Sequence, residues 1–532
     1  MGHYIEAGVA YWQATGNTKA LRIACRMAES IDDNFGPEAG KIHGSDGHPE
    51  IELALAKLYE VTGEKRYLEL AEYLVKVRGQ DPSFYDRQNA LIDDDNHIFP
   101  EMRNIGLRYY QAAEPVTEQR DANGHAVRMA YLCAGLAHIA RLAKDDELLR
   151  SARRLWRSIV SRRMYITGGI GSTHVGESFT CDYDLPNDTM YGETCASIAM
   201  VFFARRMLEN EARGEYADVI ERELFNGALS GISLDGKKYF YVNPLEALPE
   251  SGKGNPDRTH VLCQRVDWFG CACCPANIAR LLASIDHYVY TELDAGSTVL
   301  SHQFIANEAQ FHSGLRVRQE SDFPWDGHVQ YEVTLPRKAD DMERPLEVQT
   351  VRFGVRIPWW SARRYELRID GGLSELPLED GFVYVNIRPG QAMTIELELD
   401  MSVKAMTAAS QVHADVGKIA IMRGPLVYCA EQVDNDGDLW SYTVPDAANL
   451  KAYERHDERL LGGITMISVP ALRRSEQDAE ERETDDFSAL YRQVTSSDLR
   501  DHGEHAVLTL VPYYTWANRV PGAMRVWLDS NV

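Results

Sequence analysis

The sequence predicts an α+β multidomain chain: a helical first half built as an α/α solenoid or closed α/α toroid, then one or two antiparallel β-sandwich domains. Three observations carry this. A helix, short turn, helix unit recurs at roughly fifty-residue spacing, and no single unit can bury its own apolar face. Near Tyr290 the apolar period changes from 3.6 residues to 2. At 532 residues the chain exceeds one ordinary core.

The first unit opens at once. Residues 1–12 form an amphipathic helix with Tyr4, Ile5, Val9, Tyr11 and Trp12 as its apolar stripe, and no capping lead-in precedes it, so further sequence is expected upstream. The phrase around Gly16 ends this helix before another over Ala20 to Ile31, and the phrase around Gly63 does the same before Tyr67 to Val77; both glycines are candidate C-caps. Further units turn at Leu142 to Asp145 and at Leu208 to Glu211. Polar loops separate the helices: His43 to Glu50, Asp93 to His97, Asn123 to Arg128, and the glycine-rich Thr167 to Glu177 leading to Asp182 to Pro186. In a toroid such loops line one mouth and build the site.

Residues 1–290 are thus assigned to the helical domain and 291–532 to the β-sandwich part. Tyr365, Leu367 and Ile369 alternate with charged residues, as do Met393, Ile395, Leu397 and Leu399 with polar ones, which predicts half-buried strands. Short strands are also expected at Ile419 to Met422, Ala506 to Leu510 and Met524 to Leu528. Arg473 to Asp486 reads as a solvated charged loop.

Composition narrows the partners. A formal net charge of −24, from 80 acidic against 56 basic residues, opposes binding to nucleic acid or to an anionic membrane, and a neutral polar ligand such as a sugar or oligosaccharide fits better. No stretch has the roughly 18 apolar residues of a spanning helix, and the first residues lack a signal peptide's pattern, so a cytoplasmic chain is expected. Nine cysteines, an odd number, in a core-rich chain read as reduced thiols.

Three of those cysteines crowd into Cys271-Ala272-Cys273-Cys274-Pro275, and Cys195 lies far upstream in Glu193-Thr194-Cys195. Pro275 and the spacing of Ile278, Leu281, Leu282 and Ile285 place Cys273 and Cys274 at a helix N-terminus, where free N–H groups stabilise a thiolate. Glu193, Cys195 and the cluster supply sulfur and oxygen donors for one zinc ion. A closed structural knot and a catalytic site both remain open here, although the asymmetric spacing and the carboxylate depart from the usual paired CxxC knot. Taken alone, Glu177 reads as a loop carboxylate, and His3, His48 and His125 as core or surface residues. His48 and His125 stand out because each follows a glycine at an apparent helix start. Cys25, Cys133 and Cys429 lie in apolar runs and read as small core residues, while Cys181, Cys263 and Cys271 are unassigned.

The phrases Tyr165 to Ser172, Asp182 to Asn187, Glu193 to Cys195, Phe240 to Pro244, Gly270 to Pro275 and Val511 to Arg519 resemble glycoside hydrolase family 127, the β-L-arabinofuranosidase family. The resemblance implies an (α/α)6 barrel, here N-terminally incomplete because family members carry a segment before the opening helix, followed by β-sandwich domains. It implies zinc on Glu193, Cys195, Cys273 and Cys274, with Cys273 as nucleophile and Glu177 as general acid/base. His3, His48, His125, Glu221 and Tyr241 match positions that contact the sugar. The expected activity is a retaining exo-glycosidase releasing β-L-arabinofuranosyl residues. The rivals are the same machinery on another sugar and a non-catalytic sugar-binding protein with a structural zinc. Whether two copies pair as a homodimer through the β domains is left open.

Overall fold

In the computed structural model, residues 1–91, 106–337, 349–474 and 503–531 are described. The expected loop at Asp93 to His97 and most of the charged stretch after Arg473 lie outside them.

Four helix pairs come first: α1 (Gly2–Thr15) with α2 (Thr18–Asn34), α3 (Ile51–Thr62) with α4 (Lys65–Val77), α5 (Ala126–Ala143) with α6 (Asp146–Arg162), and α7 (Thr194–Asn210) with α8 (Gly214–Arg222). Each turn is written in local chemistry. Gly16 and Gly63 adopt left-handed backbone (φ 69° and 72°) and close α1 and α3 by donating their N–H to Trp12 and Tyr59 carbonyls. Asn17 and Asp145 cap the N-termini of α2 and α6 through their side-chain oxygens.

The two members of each pair differ in how they are buried. α5 and α7 are buried almost all round, including Leu132, Cys133, Ala134 and Leu136 in α5 and Ile198, Ala199, Val201 and Phe203 in α7. α6 buries only the stripe Leu148, Ala152, Leu155 and Ile159. A helix apolar on every side belongs inside and a one-sided helix outside, so α1, α3, α5 and α7 form an inner layer and their partners an outer one. A later helix, α9 (Cys273–Leu282), packs on α7, and its Arg280 pairs with Glu6 of α1, which brings the two ends of the inner layer together. The expected stripe of α1 is split: Ile5 and Val9 are buried, whereas Tyr4 and Tyr11 are 73% and 50% exposed, because the buried side of α1 runs through Glu6 and Gly8 instead.

From Tyr290 onward the chain is β. A five-stranded sheet and a six-stranded sheet bury one shared core, Val299, Phe353, Val355 and Val385 from the first against Val317, Tyr331, Val333, Ile395 and Leu397 from the second. The alternation at Met393 to Leu399 holds, each of these four apolar residues being buried. The antiparallel expectation fails at two places among the described strands: Thr298–Ser301 pairs in parallel with Val351–Arg356, and Tyr442–Val444 with Leu528–Ser530. The C-terminal part differs more. Its nine described strands form one sheet in which Leu426–Glu431 pairs with both Lys418–Arg423 and Glu504–Pro512, so the strand order returns on itself around a core of Ile419, Tyr428, Ile467, Val469 and Leu510. Its other face packs on Tyr165, Phe240 and Leu245 of the helical part, and Glu246–Ala247 from there joins the sheet edge beside Met524–Arg525. None of the described helices is long and apolar enough to cross a membrane.

Candidate active site

Cys273 and Cys274 occupy the first turn of α9, as the spacing requires, with Pro275 in the same turn. Cys195 is in the first turn of α7, whose N-cap is Glu193. Two helix N-termini from distant sequence therefore meet. Cys195 Sγ lies 3.6 Å from Cys274 Sγ, Cys273 Sγ lies 3.8 Å from Cys274 Sγ, and Glu193 Oε1 is 3.6 Å from Cys273 Sγ and 3.9 Å from Cys274 Sγ. The ligand atoms of all four residues fall within 4.8 Å of one another.

This donor set fits a zinc ion. Tetrahedral thiolates at about 2.3 Å from zinc sit about 3.8 Å apart, close to the observed sulfur separations. Glu193 Oε2 is buried without a hydrogen-bond partner, and among the described residues Glu193 has no ion pair with a lysine or arginine. Burial pushes the Glu193 carboxyl and the Cys274 thiol well up, whereas hydrogen bonds from Cys195 and Cys274 push the Cys273 thiol down to about 2. A pocket of acids without a cation destabilises their charged forms, and a bound metal reverses that. Cys273 alone of the four is only partly buried and can meet a ligand.

Glu177 faces this cluster from the glycine-rich loop. Gly176 and Glu177 both hold left-handed backbone (φ 66° and 52°), a conformation costly for a side chain other than glycine's. The loop closes on itself through Ser172 N–H to the Ser178 carbonyl at 2.9 Å. Glu177 Oε2 is 2.7 Å from His125 Nε2, and Glu177 Oε1 accepts from Tyr191 Oη at 2.9 Å and from Tyr241 Oη at 3.4 Å. Burial works to raise the Glu177 carboxyl, but the His125 and Tyr191 hydrogen bonds outweigh it and hold the group below its usual value. Glu177, His125 and Glu193 present ligand atoms within 4.8 Å of one another, which joins the carboxylate to the sulfur cluster.

The other expected residues divide. His125 is the N-cap of α5, and the His48 ring lies 6.4 Å from it between centroids. Burial and the nearby Arg128 charge push His48 down to about 3, so it is neutral. His3 reaches the group through Tyr131, which lies 6.2 Å from His3 and 5.8 Å from His48, and its Nδ1 is 3.2 Å from Glu50 Oε1. Glu221 goes elsewhere: it is buried where α8 meets the β part, engaged by Arg356 and, at 2.8 Å, by Trp360 Nε1. Both Glu221 oxygens are engaged by these partners, and Glu221 is not among the residues that the structure gathers around the cysteines.

Sequence reasoning missed Tyr191 and Arg280. Tyr191 stands two residues before Glu193, in a stretch already singled out, and its role became visible only from its hydroxyl. Arg280 follows Cys273 by two helical turns and donates to Tyr131 Oη at 3.1 Å besides pairing with Glu6. Cys133 and Cys429 are buried core thiols as expected, Cys25 and Cys263 are partly buried, and Cys181 and Cys271 are exposed.

The chain matches three family models in order: "Beta-L-arabinofuranosidase, GH127 catalytic domain" over residues 1–287, the GH127 middle domain over 298–401 and the "Glycoside hydrolase family 127 C-terminal domain" over 403–529. It is 59% identical over 528 residues to a non-reducing end β-L-arabinofuranosidase from Bifidobacterium longum subsp. longum, a match covering 99% of this chain and 77% of the relative. A crystal structure of a GH127 β-L-arabinofuranosidase from Geobacillus stearothermophilus T6 superimposes with TM-score 0.89 at 41% identity, covering 100% of this chain and 79% of that one. A second GH127 β-arabinofuranosidase structure gives TM-score 0.80 at 32% identity over 100% of this chain and 76% of its own. With its helical part, its β-rich parts and its whole described length accounted for in this way, the chain belongs to glycoside hydrolase family 127 and is a carbohydrate-cleaving enzyme.

Proposed function

We propose that the protein is a zinc-dependent, retaining exo-glycosidase that removes β-L-arabinofuranosyl residues from glycans, with Cys273 as nucleophile and Glu177 as general acid/base. The observation that carries this is the convergence of a partly exposed sulfur, held by Glu193, Cys195 and Cys274, with a hydrogen-bonded carboxylate on the opposing loop. The named activity of the relatives supplies the sugar. Glu193, Cys195, Cys273 and Cys274 would hold the zinc, whose positive charge keeps the thiols ionised at neutral pH.

The residues then divide the work. Cys273 Sγ attacks the anomeric carbon as the protonated Glu177 carboxyl delivers its own proton to the departing oxygen, breaking the glycosidic bond. The sugar is left bonded to sulfur. Glu177, now a carboxylate steadied by His125, Tyr191 and Tyr241, takes a proton from water, which displaces the sulfur. Two displacements at one carbon retain its configuration, as in retaining enzymes that use two carboxylates. His3, His48 and Tyr241 line the side where the sugar hydroxyls would be read. The free cysteines support a reducing compartment, and the cytoplasm is the location that fits. The inner and outer helix layers are read as part of an (α/α)6 barrel, and the paired middle sheets as a β-sandwich.

The test is hydrolysis of an aryl β-L-arabinofuranoside by the unaltered protein, with NMR of the first product. Release of β-L-arabinofuranose supports the proposal. Inverted product, or no turnover of this sugar with turnover of another aryl furanoside, overturns the mechanism or the sugar respectively.

A further inference from the structure

A cavity of about 230 Å3 lies apart from the cysteine cluster, where the end of α6 and residues 164–166 of the helical part face Trp359 of the middle part and the segment 406–415 leading into the C-terminal sheet. None of Glu177, Glu193, Cys195, Cys273 or Cys274 lines it. Its walls are mainly apolar and aromatic, with Met164, Tyr165, Leu185, Val412 and Trp527 among them.

Three charged residues break this lining: Arg222, Arg162 and Asp415. Arg222, the last residue of α8, lies with its guanidinium carbon 5.4 Å from the centre of the Trp359 ring, and among the described residues no carboxylate forms an ion pair with it. The acids nearest in sequence are committed: Asp218 and Glu221 both engage Arg356, and Glu223 turns the other way, towards Gly168 and Ser197. The other cation on the wall, Arg162, is spent on Asp121 and Asp182. On the C-terminal side stands Asp415, buried and accepting a single hydrogen bond, at 2.7 Å, from Asn187 Nδ2. Asp218, Glu223 and Glu221 act on the Arg222 charge from a distance, but among the described residues none makes a contact ion pair with it, and a guanidinium held against an aromatic wall with its donor edge free of contact carboxylates is a site for a planar anion. An acceptor elsewhere on the same wall suits a hydroxyl donor.

We propose that this interdomain cavity binds a small planar carboxylate with a hydroxyl at its far end, the carboxylate on Arg222, the hydroxyl on Asp415 and the ring between the apolar walls. The volume, below the roughly 300–1,000 Å3 of drug-sized sites, selects a single ring. The cavity shares residues 164–166 with the segment that runs into the Glu177 loop, but the binding itself does not depend on the sugar chemistry proposed above.

Isothermal titration of the full chain with 4-hydroxybenzoate tests this, beside its neutral analogue 4-hydroxybenzyl alcohol and with L-arabinose as competitor. The expected result is saturable one-to-one binding of the acid, weakened at least about ten-fold for the alcohol and in Arg222→Gln, and untouched by L-arabinose. Thermal melts confirm that the variant is folded; if it is not, Arg222→Lys and the comparison of acid with alcohol on the unaltered chain still decide. Absence of saturable binding, equal binding of acid and alcohol, indifference of a folded Arg222→Gln protein, or displacement by L-arabinose each overturns the proposal.

Discussion

His125 Nε2 stands 2.7 Å from Glu177 Oε2, and this contact joins the N-cap of α5 to the strained loop that carries the proposed acid/base carboxylate. It holds the Glu177 carboxyl down against the opposing effect of burial. A general acid loses activity as pH rises through its pKa, so in the proposed mechanism the alkaline limb of the kcat/KM profile depends on the His125 contact. Replacing His125 by Ala removes a donor to the ionised form, raises the Glu177 pKa and moves that limb to higher pH while lowering the plateau. A limb that stays where it was would show that another group is titrating.

Cys273→Ser replaces the proposed nucleophile and proposed metal donor with a weaker group. Hydrolysis of an aryl β-L-arabinofuranoside is expected to fall by at least about 10⁴-fold, while the melting temperature changes little because Cys273 is at the rim of the cluster. Full residual activity would remove Cys273 from its role.

Glu177→Gln keeps the loop's shape but can neither give nor take a proton. The expected loss is about 10²–10⁴-fold in kcat/KM for a sugar leaving group, and much less for a dinitrophenyl one, which departs without help. Equal losses with both substrates would mean that the substitution acts on binding and not on proton transfer.

Metal removal should act on both activity and stability. Dialysis against a strong chelator is expected to abolish turnover and lower the melting temperature, with zinc restoring both. Cys195→Ala should reduce zinc content measured by mass spectrometry even where protein is well folded. Unchanged metal content in that variant would exclude Cys195 as a ligand.

Arg280 couples the cysteine helix to the opening helix through Glu6, itself also engaged by Lys57. Arg280→Met leaves a buried carboxylate short of one partner, and a loss of roughly 3–5 kcal/mol is expected in denaturant unfolding. A loss below about 1 kcal/mol would show that Lys57 alone suffices for Glu6.

Glu209 gives an acid-stability signature. Burial opposes its ionisation, but Arg206 and Arg205 prevail and hold it at about 2. Because the folded value lies below an unfolded value of about 4.3, its contribution is fully present above that value and drains away as pH falls from about 4.3 towards 2. Arg206→Met should flatten this part of the stability curve measured by urea unfolding at stepped pH; an unaltered slope would contradict the assignment.

Local physics was legible without the fold. Gly16 and Gly63 end their helices because only the left-handed backbone that glycine tolerates closes those turns, and Met393 to Leu399 alternate because one face of that strand is buried. The cysteines at the start of α9 followed from the position of Pro275 and the helical spacing after it. What the chain alone could not decide is which distant groups share a volume. Glu221 and Glu177 are both carboxylates beside apolar runs, yet Arg356, 135 residues further on, claims the first, while His125 and Tyr191 claim the second. Likewise the C-terminal strands read as short strands between turns, but their pairing order, which makes the sheet return on itself, is set by the register between distant residues such as Cys429 and Val511. Period and capping act over a few residues and are therefore written locally; charge pairing and strand order act through space, and only the folded chain brings their partners within reach.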